Sequence, residues 1–531
     1  MSPALTLTFH GAAGTVTGSC MELRLGDRAI LVDCGLFQGS RTLETLNHGA
    51  FSFEPGKIDA VVLTHAHIDH CGLLPKLAAQ GFDKPIWCTP ATSDLLEYML
   101  ADAGRIQESE ADRRNRRRDR AGESLFEPLY TEQDALNAWR LTRPTPLCDW
   151  FDPAPGFRAR FWNAGHILGA ASVEIETAGM HLLFSGDLGP INKAFHPDPQ
   201  APAGLDHVVC EATYGDRARE KFTIEQRRTQ LETEIKDALS RGGNLIIPSF
   251  ALERTQELLL DLAKLADANR IPNVPIFVDS PLASRATKVF AAHASELEDT
   301  GGEDVFRHPS IHYVEDVAES IRLNTMTGAI IMAASGMCEA GRIRHHLKHN
   351  LFRRDSTVLF VGFQAKGSLG RVILDGAQRV RISGEDINVR ARIRRIDSYS
   401  AHADRDELHG WISARRPISG SLFLDHGEPE AVAALRILTQ ADNPAASIIA
   451  PQIGEVYALE PGKPARRIQT GRVDMEELSG PDWQNDYADF ITHLKQHLGR
   501  IRSERARRDA LARMRRVLDA YQEAKQRQHA K

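Results

Sequence analysis

The chain has 531 residues, enough for about three or four domain-sized units. Hydrophobic residues make up 42% and charged residues 26%, the balance of ordinary globular proteins, which excludes a wholly disordered chain. Lys plus Arg number 65 against 71 Asp plus Glu, a formal net charge of −6, which excludes an overall basic surface but leaves local basic patches open.

The N-terminus alternates at Leu5, Leu7 and Phe9 as a first strand does. It has no basic segment and no long apolar run, so it reads as structure and not as a secretion signal. No stretch of 18 apolar residues occurs, so no membrane span is expected. The seven cysteines are scattered, odd in number and without a C-x-x-C pair, the pattern of reduced thiols in a cytoplasmic protein. Further strands are expected at Ala29–Val32, Ala60–Leu63 and His181–Phe184, between glycine-rich loops. Residues 91–142 read as helical and polar, and contain the cluster Arg113, Arg114, Arg116, Arg117, Arg118 and Arg120. Such a run is either a solvated helix face or a phosphate-binding surface.

From about 205 to 385 apolar runs alternate with helix-like stretches, beginning with Asn244–Pro248 followed by Leu252–Ala266. This alternation predicts a separate Rossmann-like parallel sheet. Small residues at the strand ends, Ala334-Ser335-Gly336-Met337 among them, leave room for ligands, though ordinary strand-to-helix turns look the same. Residues 386–460 return to β-like alternation. The tail has apolar residues at helical spacing from Trp483 to Tyr521, and its residues 500–531 hold 11 Lys and Arg against 4 Asp and Glu. A packed or homodimerising helix and a basic RNA-contacting arm both fit it. The expected organisation is 1–204, 205–385, 386–470 and a basic helical extension over 471–531.

The strongest local feature is Thr64-His65-Ala66-His67-Ile68-Asp69-His70, directly after a strand. Four ligand-type side chains within six residues are too many for one metal to take from so short a loop, but two metals can share them. Single ligand-type residues among glycines recur at His166, Asp187 and His426. Together they predict one ion held by His65, His67 and His166 and a second by Asp69, His70 and His426, with Asp187 bridging. Imidazole and carboxylate donors suit two Zn²⁺ per chain, with Mn²⁺ as the second choice. Ions about 3.5–4 Å apart can hold a hydroxide that attacks a phosphodiester in line. His402 is a candidate general acid, Glu211 its orienting carboxylate, and Asp33 a carboxylate behind a ligand histidine. Taken alone, Asp33 could equally be a turn residue, Glu211 a helix cap and His402 a buried hydrogen-bonding side chain.

With these residues in hand, the sequence resembles the metallo-β-lactamase superfamily, and within it the β-CASP branch of RNA- and DNA-processing nucleases. Thr64-His65-Ala66-His67-Ile68-Asp69-His70-Cys71-Gly72 carries the signature, with Asp33, His166 and Asp187 at its other core motifs. Glu211, His402 and His426 match the branch's motifs A, B and C, and the match runs from about residue 6 to 460. Ala212 departs from the serine often found there. The resemblance implies an α/β architecture, an αββα domain with a Rossmann-like β-CASP domain inserted, acting on RNA in the cleft between them. Ser335, Gly336 and Met337 resemble the family's phosphate-binding loop. Ser400-Ala401-His402-Ala403-Asp404 is similar to the bacterial relatives of the pre-mRNA 3′-end cleavage endonuclease. The expected activity is therefore a two-metal ribonuclease cutting single-stranded RNA internally, with a 5′-exoribonuclease or a small-molecule metallo-hydrolase as the alternatives. An inactive scaffold would show lost ligands, and none of the seven is missing.

Overall fold

A computed structural model describes residues 4–471 apart from 40, 122–123, 301–303, 363 and 365–366, and in the tail 494, 497–498, 500–501 and 503–529. The chain divides into a body, Met1–Ser479, and a tail, Gly480–Lys531.

The body is an α/β structure organised by three main sheets. An eight-stranded sheet runs, edge to edge, Lys463–Gln469, Val456–Glu460, Leu5–Phe9, Met21–Leu25, Arg28–Val32, Ala60–Val62, Ile86–Cys88 and Thr142–Pro144. The seven-stranded sheet runs Ser447–Ile449, Ile418–Asp425, Leu205–Glu211, Met180–Phe184, Ala171–Thr177, Phe157–Asn163 and Phe151–Ala154. Alternation along each strand sends one row of side chains between these two sheets. Leu5, Leu7, Phe9, Ile30, Val32 and Val62 from the first meet Phe161, Val173, Phe184 and Phe423 from the second in one buried cluster. The Phe9 and Phe423 rings lie 5.4 Å apart within it. Truncating a fully buried ring such as Phe161 would cost about 3–5 kcal/mol. The opposite rows, Ala29, Leu31, Val61 and Leu63, and Val208, Cys210, Leu422 and Leu424, join a second cluster with helices such as Pro90–Ala121 and Arg405–Ala414. The result is helix, sheet, sheet and helix in layers.

The third sheet has six strands, all parallel, in the order Ile311–Tyr313, Ile276–Val278, Ile330–Ala333, Leu245–Pro248, Thr357–Val361 and Arg392–Ile396. Its bounds differ from those expected at 205 and 385. Leu205–Glu211 pairs with Met180–Phe184 and Ile418–Asp425 and so belongs to the sandwich. Arg392–Ile396 pairs with Thr357–Val361 and so closes the inserted sheet. Leu205–Glu211, largely buried on both faces, looks alike whichever parallel neighbours receive it, and Arg392–Ile396 is a half-buried edge strand whose alternation fits either sheet.

In the tail, Glu504–His529 is helical, as its spacing predicts. The stripe expected at Trp483, Tyr487, Phe490 and Ile491, and the side chains of Arg117, Arg118 and Arg120, lie outside the described residues. No described helix is long and apolar enough to cross a membrane.

Candidate metal centre

One edge of the sandwich collects the chemistry. Asp33 follows the strand Arg28–Val32, His65 to His70 follow Ala60–Val62, His166 follows Phe157–Asn163, Asp187 follows Met180–Phe184, Glu211 ends Leu205–Glu211 and His426 follows Ile418–Asp425. Parallel strands point their ends the same way, so loops distant in sequence converge there.

The seven predicted ligands meet in two groups. In the first, His67 Nδ1 lies 3.1 Å from both His65 Nε2 and His166 Nε2. Asp187 Oδ2 completes it at 3.6 Å from each of those Nε2 atoms. In the second, His70 Nε2 lies 3.2 Å from His426 Nε2, and Asp69 Oδ2 lies 3.7 Å from the latter. The other oxygen of Asp187, Oδ1, faces this group, 3.3 Å from His70 Nε2 and 3.5 Å from His426 Nδ1.

These residues fit a pair of metal ions. A tetrahedral ion with bonds of roughly 2.0–2.1 Å has ligand atoms about 3.3–3.4 Å apart, close to the spacings seen. Asp187 Oδ1 is buried without a hydrogen-bond partner, an arrangement costly for a carboxylate unless a cation takes it. The imidazoles are set to offer lone pairs. His166 Nδ1 donates to the Ala401 carbonyl at 2.9 Å, which leaves Nε2 free to ligate. His70 Nδ1 donates to Asp33 Oδ2 at 2.7 Å, with the same effect. Burial disfavours the protonated ring and pushes His65 and His166 well below the usual histidine range and His67 down to about 4. For His70 burial acts the same way, but Asp187 and Asp33 outweigh it and hold the pKa well above that range, so an ion at the second group has to displace the Nε2 proton. His67 and Asp69 are half-buried while the other candidate ligands are buried, so both groups open on one side.

His402 comes from the loop after Arg392–Ile396 and stands at that opening, 21% exposed. Its Nδ1 lies 3.5 Å from Glu211 Oε1 and 3.8 Å from Asp187 Oδ2, longer than hydrogen bonds. Glu211 is anchored by the N–H groups of Leu188 at 2.5 Å and Thr213 at 3.3 Å. Ser335, Gly336 and Met337 stand apart from the ligand cluster, after the strand Ile330–Ala333 of the inserted sheet. There Gln364 Nε2 donates to the Gly336 carbonyl at 2.9 Å, and the exposed Phe250 ring packs on Gly336.

Three comparisons with known proteins bear on this geometry. A model described as the metallo-beta-lactamase superfamily matches residues 13–222, one described as the Beta-Casp domain matches 255–373, and one described as a Zn-dependent metallo-hydrolase RNA specificity domain matches 386–447. A ribonuclease of Thermus thermophilus is 37% identical over 432 residues, covering 80% of this chain and 94% of the relative. The chain belongs to the β-CASP branch of the metallo-β-lactamase superfamily. Transcription termination factors named FttA are further β-CASP relatives. That of Thermococcus kodakarensis is 30% identical and that of Methanosarcina mazei 27%, each match covering 80% of this chain and 67% of the relative. A solved structure from Enterococcus faecalis, described as a protein of unknown function, shares the fold at TM-score 0.51 and 16% identity, covering 86% of this chain and all of that one.

Several supports of this β-CASP centre are not candidate ligands themselves. Thr64 donates from N and Oγ1 to Asp33 Oδ1 at 2.9 and 3.0 Å, and Ser19 Oγ donates to Asp33 Oδ2 at 3.0 Å. Thr213 Oγ1 sits 3.1 Å from His426 Nδ1. Two glycines let ligand loops close up. A Cβ on Gly35 would lie 1.6 Å from the Asp69 carbonyl oxygen, and one on Gly189 would lie 1.7 Å from that of Gly165, beside His166. The signal for them was present in Asp33-Cys34-Gly35 and Asp187-Leu188-Gly189. Asp33 and His426 hold positive φ of 63° and 47°, so backbone strain gathers at this edge.

Proposed function

We propose that this chain is a two-metal ribonuclease that hydrolyses phosphodiester bonds within single-stranded RNA. The observation that carries the reading is the division of Asp187, with Oδ2 turned to one histidine group and Oδ1 to the other. His65, His67 and His166 would hold one ion and Asp69, His70 and His426 the second, with Zn²⁺ suited to the donors and Mn²⁺ next. When bound, the pair supplies Lewis acidity to the phosphodiester and a water of lowered pKa.

The chain's own residues do the rest. Asp33 orients His70. Glu211, through the Leu188 and Thr213 N–H groups, holds the loops beside Asp187 and His426. His402 gives its proton to the leaving oxygen. Its Nδ1 points back to Glu211 and Asp187, so Nε2 is the atom for that transfer. Ser335, Gly336 and Met337 would receive a neighbouring phosphate of the substrate. The free thiols of all seven cysteines suit a reducing, cytoplasmic setting.

Digestion of linear RNAs with a 5′-hydroxyl or a 5′-monophosphate, beside a circular RNA, tests the reading. The circle and both linear forms are expected to be cut. Cleavage restricted to 5′-monophosphorylated ends would replace the endonuclease with a 5′-exonuclease. Hydrolysis of a small ester or lactam with no RNA cleavage would replace both.

A further inference from the structure

One strained residue outside the metal centre carries charge into the interior. Glu253 lies between the strand Leu245–Pro248 and the helix Arg254–Asp267, with φ 67° and ψ −62°. The Arg254 N–H donates to the Leu252 carbonyl at 2.9 Å, which closes a γ-turn on Glu253. A γ-turn with positive φ is rare and strained for a residue with a Cβ. Glycine would hold the same backbone with less strain. What glutamate adds there is its carboxylate.

That carboxylate is 2% exposed and reaches out of the inserted domain. Its Oε1 accepts from Lys193 Nζ at 2.7 Å and sits 2.8 Å from His196 Nε2, while Oε2 accepts from the Leu168 N–H at 3.3 Å. The same Lys193 Nζ donates to the His166 carbonyl at 2.5 Å. Glu253 therefore grips the segment that presents His166 at two points, directly at Leu168 and through Lys193 at His166 itself. The loop bearing Lys193 and His196 is also seated on the inserted domain. The Phe195 ring lies 6.1 Å from Phe290 and 5.9 Å from Phe306, and its carbonyl accepts from the Glu298 N–H at 2.8 Å. Burial opposes ionisation of Glu253, but His196 and Lys193 outweigh it and lower its pKa. Desolvation offsets most of the attraction in a buried ion cluster, so its contribution to stability is small. What it supplies is position.

We propose that Glu253 is a positioning residue through which the inserted domain fixes the His166 side chain for the first metal ion. This rests on the reading of His166 as a ligand. It makes the affinity of that ion depend on how the inserted domain is seated, while the second ion does not feel it.

Stepwise release of zinc from the full chain to a competing chelator tests this. The wild type is expected to hold two ions and His166→Ala one. Two ions in His166→Ala would remove the ligand reading and the proposal with it. On that baseline the double variant Glu253→Gly with Lys193→Met removes the buried carboxylate and its ammonium partner together. It is expected to bind the first ion about 10- to 100-fold more weakly and the second unchanged. Unchanged affinities in the double variant, or an equal loss at both ions, would overturn the proposal while leaving His166 a ligand. Should the double variant fail to fold, Glu253→Gln, which keeps the side chain's shape, reads the same first-ion loss. Wild-type affinities in that variant would overturn the proposal.

Discussion

Asp33→Asn is the sharpest perturbation of the second ion. The carboxylate accepts from the Thr64 N–H at 2.9 Å, Thr64 Oγ1 at 3.0 Å, Ser19 Oγ at 3.0 Å and His70 Nδ1 at 2.7 Å, all inside the fold. Asparagine offers one oxygen and one amide nitrogen. With the nitrogen towards Thr64 it meets an N–H that cannot accept. With the nitrogen towards His70 it needs a lone pair on Nδ1, which moves the imidazole proton to Nε2 and blocks ligation. Either way about one buried hydrogen bond is lost, roughly 1–3 kcal/mol, or about 5- to 150-fold in affinity. The loss should fall on the ion held by Asp69, His70 and His426 and spare the one held by His65, His67 and His166. Zinc competition with a chelator, beside a thermal melt of the metal-free protein, separates the two. Retention of both ions at wild-type affinity would refute the assignment of Asp33 as the orienting carboxylate, and loss of the other ion alone would refute the division of ligands.

His402→Ala is expected to keep both ions and to lose about 10²- to 10⁴-fold in RNA cleavage; loss of metal in that variant would make His402 a ligand instead of the acid. His293 joins Glu296 at 2.6 Å and Asp94 at 2.8 Å, and the Glu296 bond, against burial and with Asp94, raises its pKa to about 9. Such a group stabilises fully below the unfolded value near 6.5 and loses that contribution as pH rises through about 9. Glu296 and Asp94 are half-exposed, so screening leaves about 1 kcal/mol. His293→Gln should therefore lower the denaturant midpoint below about pH 6.5 and leave it unchanged above about pH 9, and a difference that grows with pH would reverse the sign. Arg394→Ala should cost about 1 kcal/mol of stability, since its guanidinium holds both oxygens of Glu234 at 2.7 and 2.6 Å. It should leave the KM for RNA and its salt dependence as they are; a shallower salt slope would make Arg394 a phosphate contact.

The cluster of candidate ligands was legible in the sequence because metal chemistry demands particular side chains at a strand end, and His65 to His70 place four of them in one loop. His166, Asp187 and His426 were legible through the glycines around them, which the fold uses for close approach at Gly189 and Gly165. The sheet assignment of Leu205–Glu211 and Arg392–Ile396 was not legible, because neither a largely apolar run nor an arginine-rich edge strand records the identity of the neighbouring strand. The Glu253 contacts were equally hidden. Lys193 and Glu253 are 60 residues apart and belong to no motif, and only the folded chain turns a strained residue towards the segment that carries His166.

The net charge of −6 and an anionic substrate are reconciled by where the charges sit. Asp69 and Asp187 face the histidine groups, so a bound ion pair would reverse their sign towards an incoming phosphate. The arginines of 390–395 look like a basic patch in sequence, yet Arg392 pairs with Asp237, Arg394 with Glu234 and Arg395 with Asp397. Arg392 and Arg394 hold the strand Arg392–Ile396 against the helix Ile224–Leu239, and Arg395 pairs within its own segment. The arginines beside His402 are paired as well, Arg217 with Asp216 and Arg219 with Glu407 at 3.4 Å each. Tyr214 presents its ring edge to His402 at 5.7 Å, with the Arg217 and Arg219 guanidinium groups 5.2 and 5.6 Å from that ring's centre. Local charge at the mouth of the metal centre, and not the sum over the chain, is therefore the quantity that governs attraction of substrate.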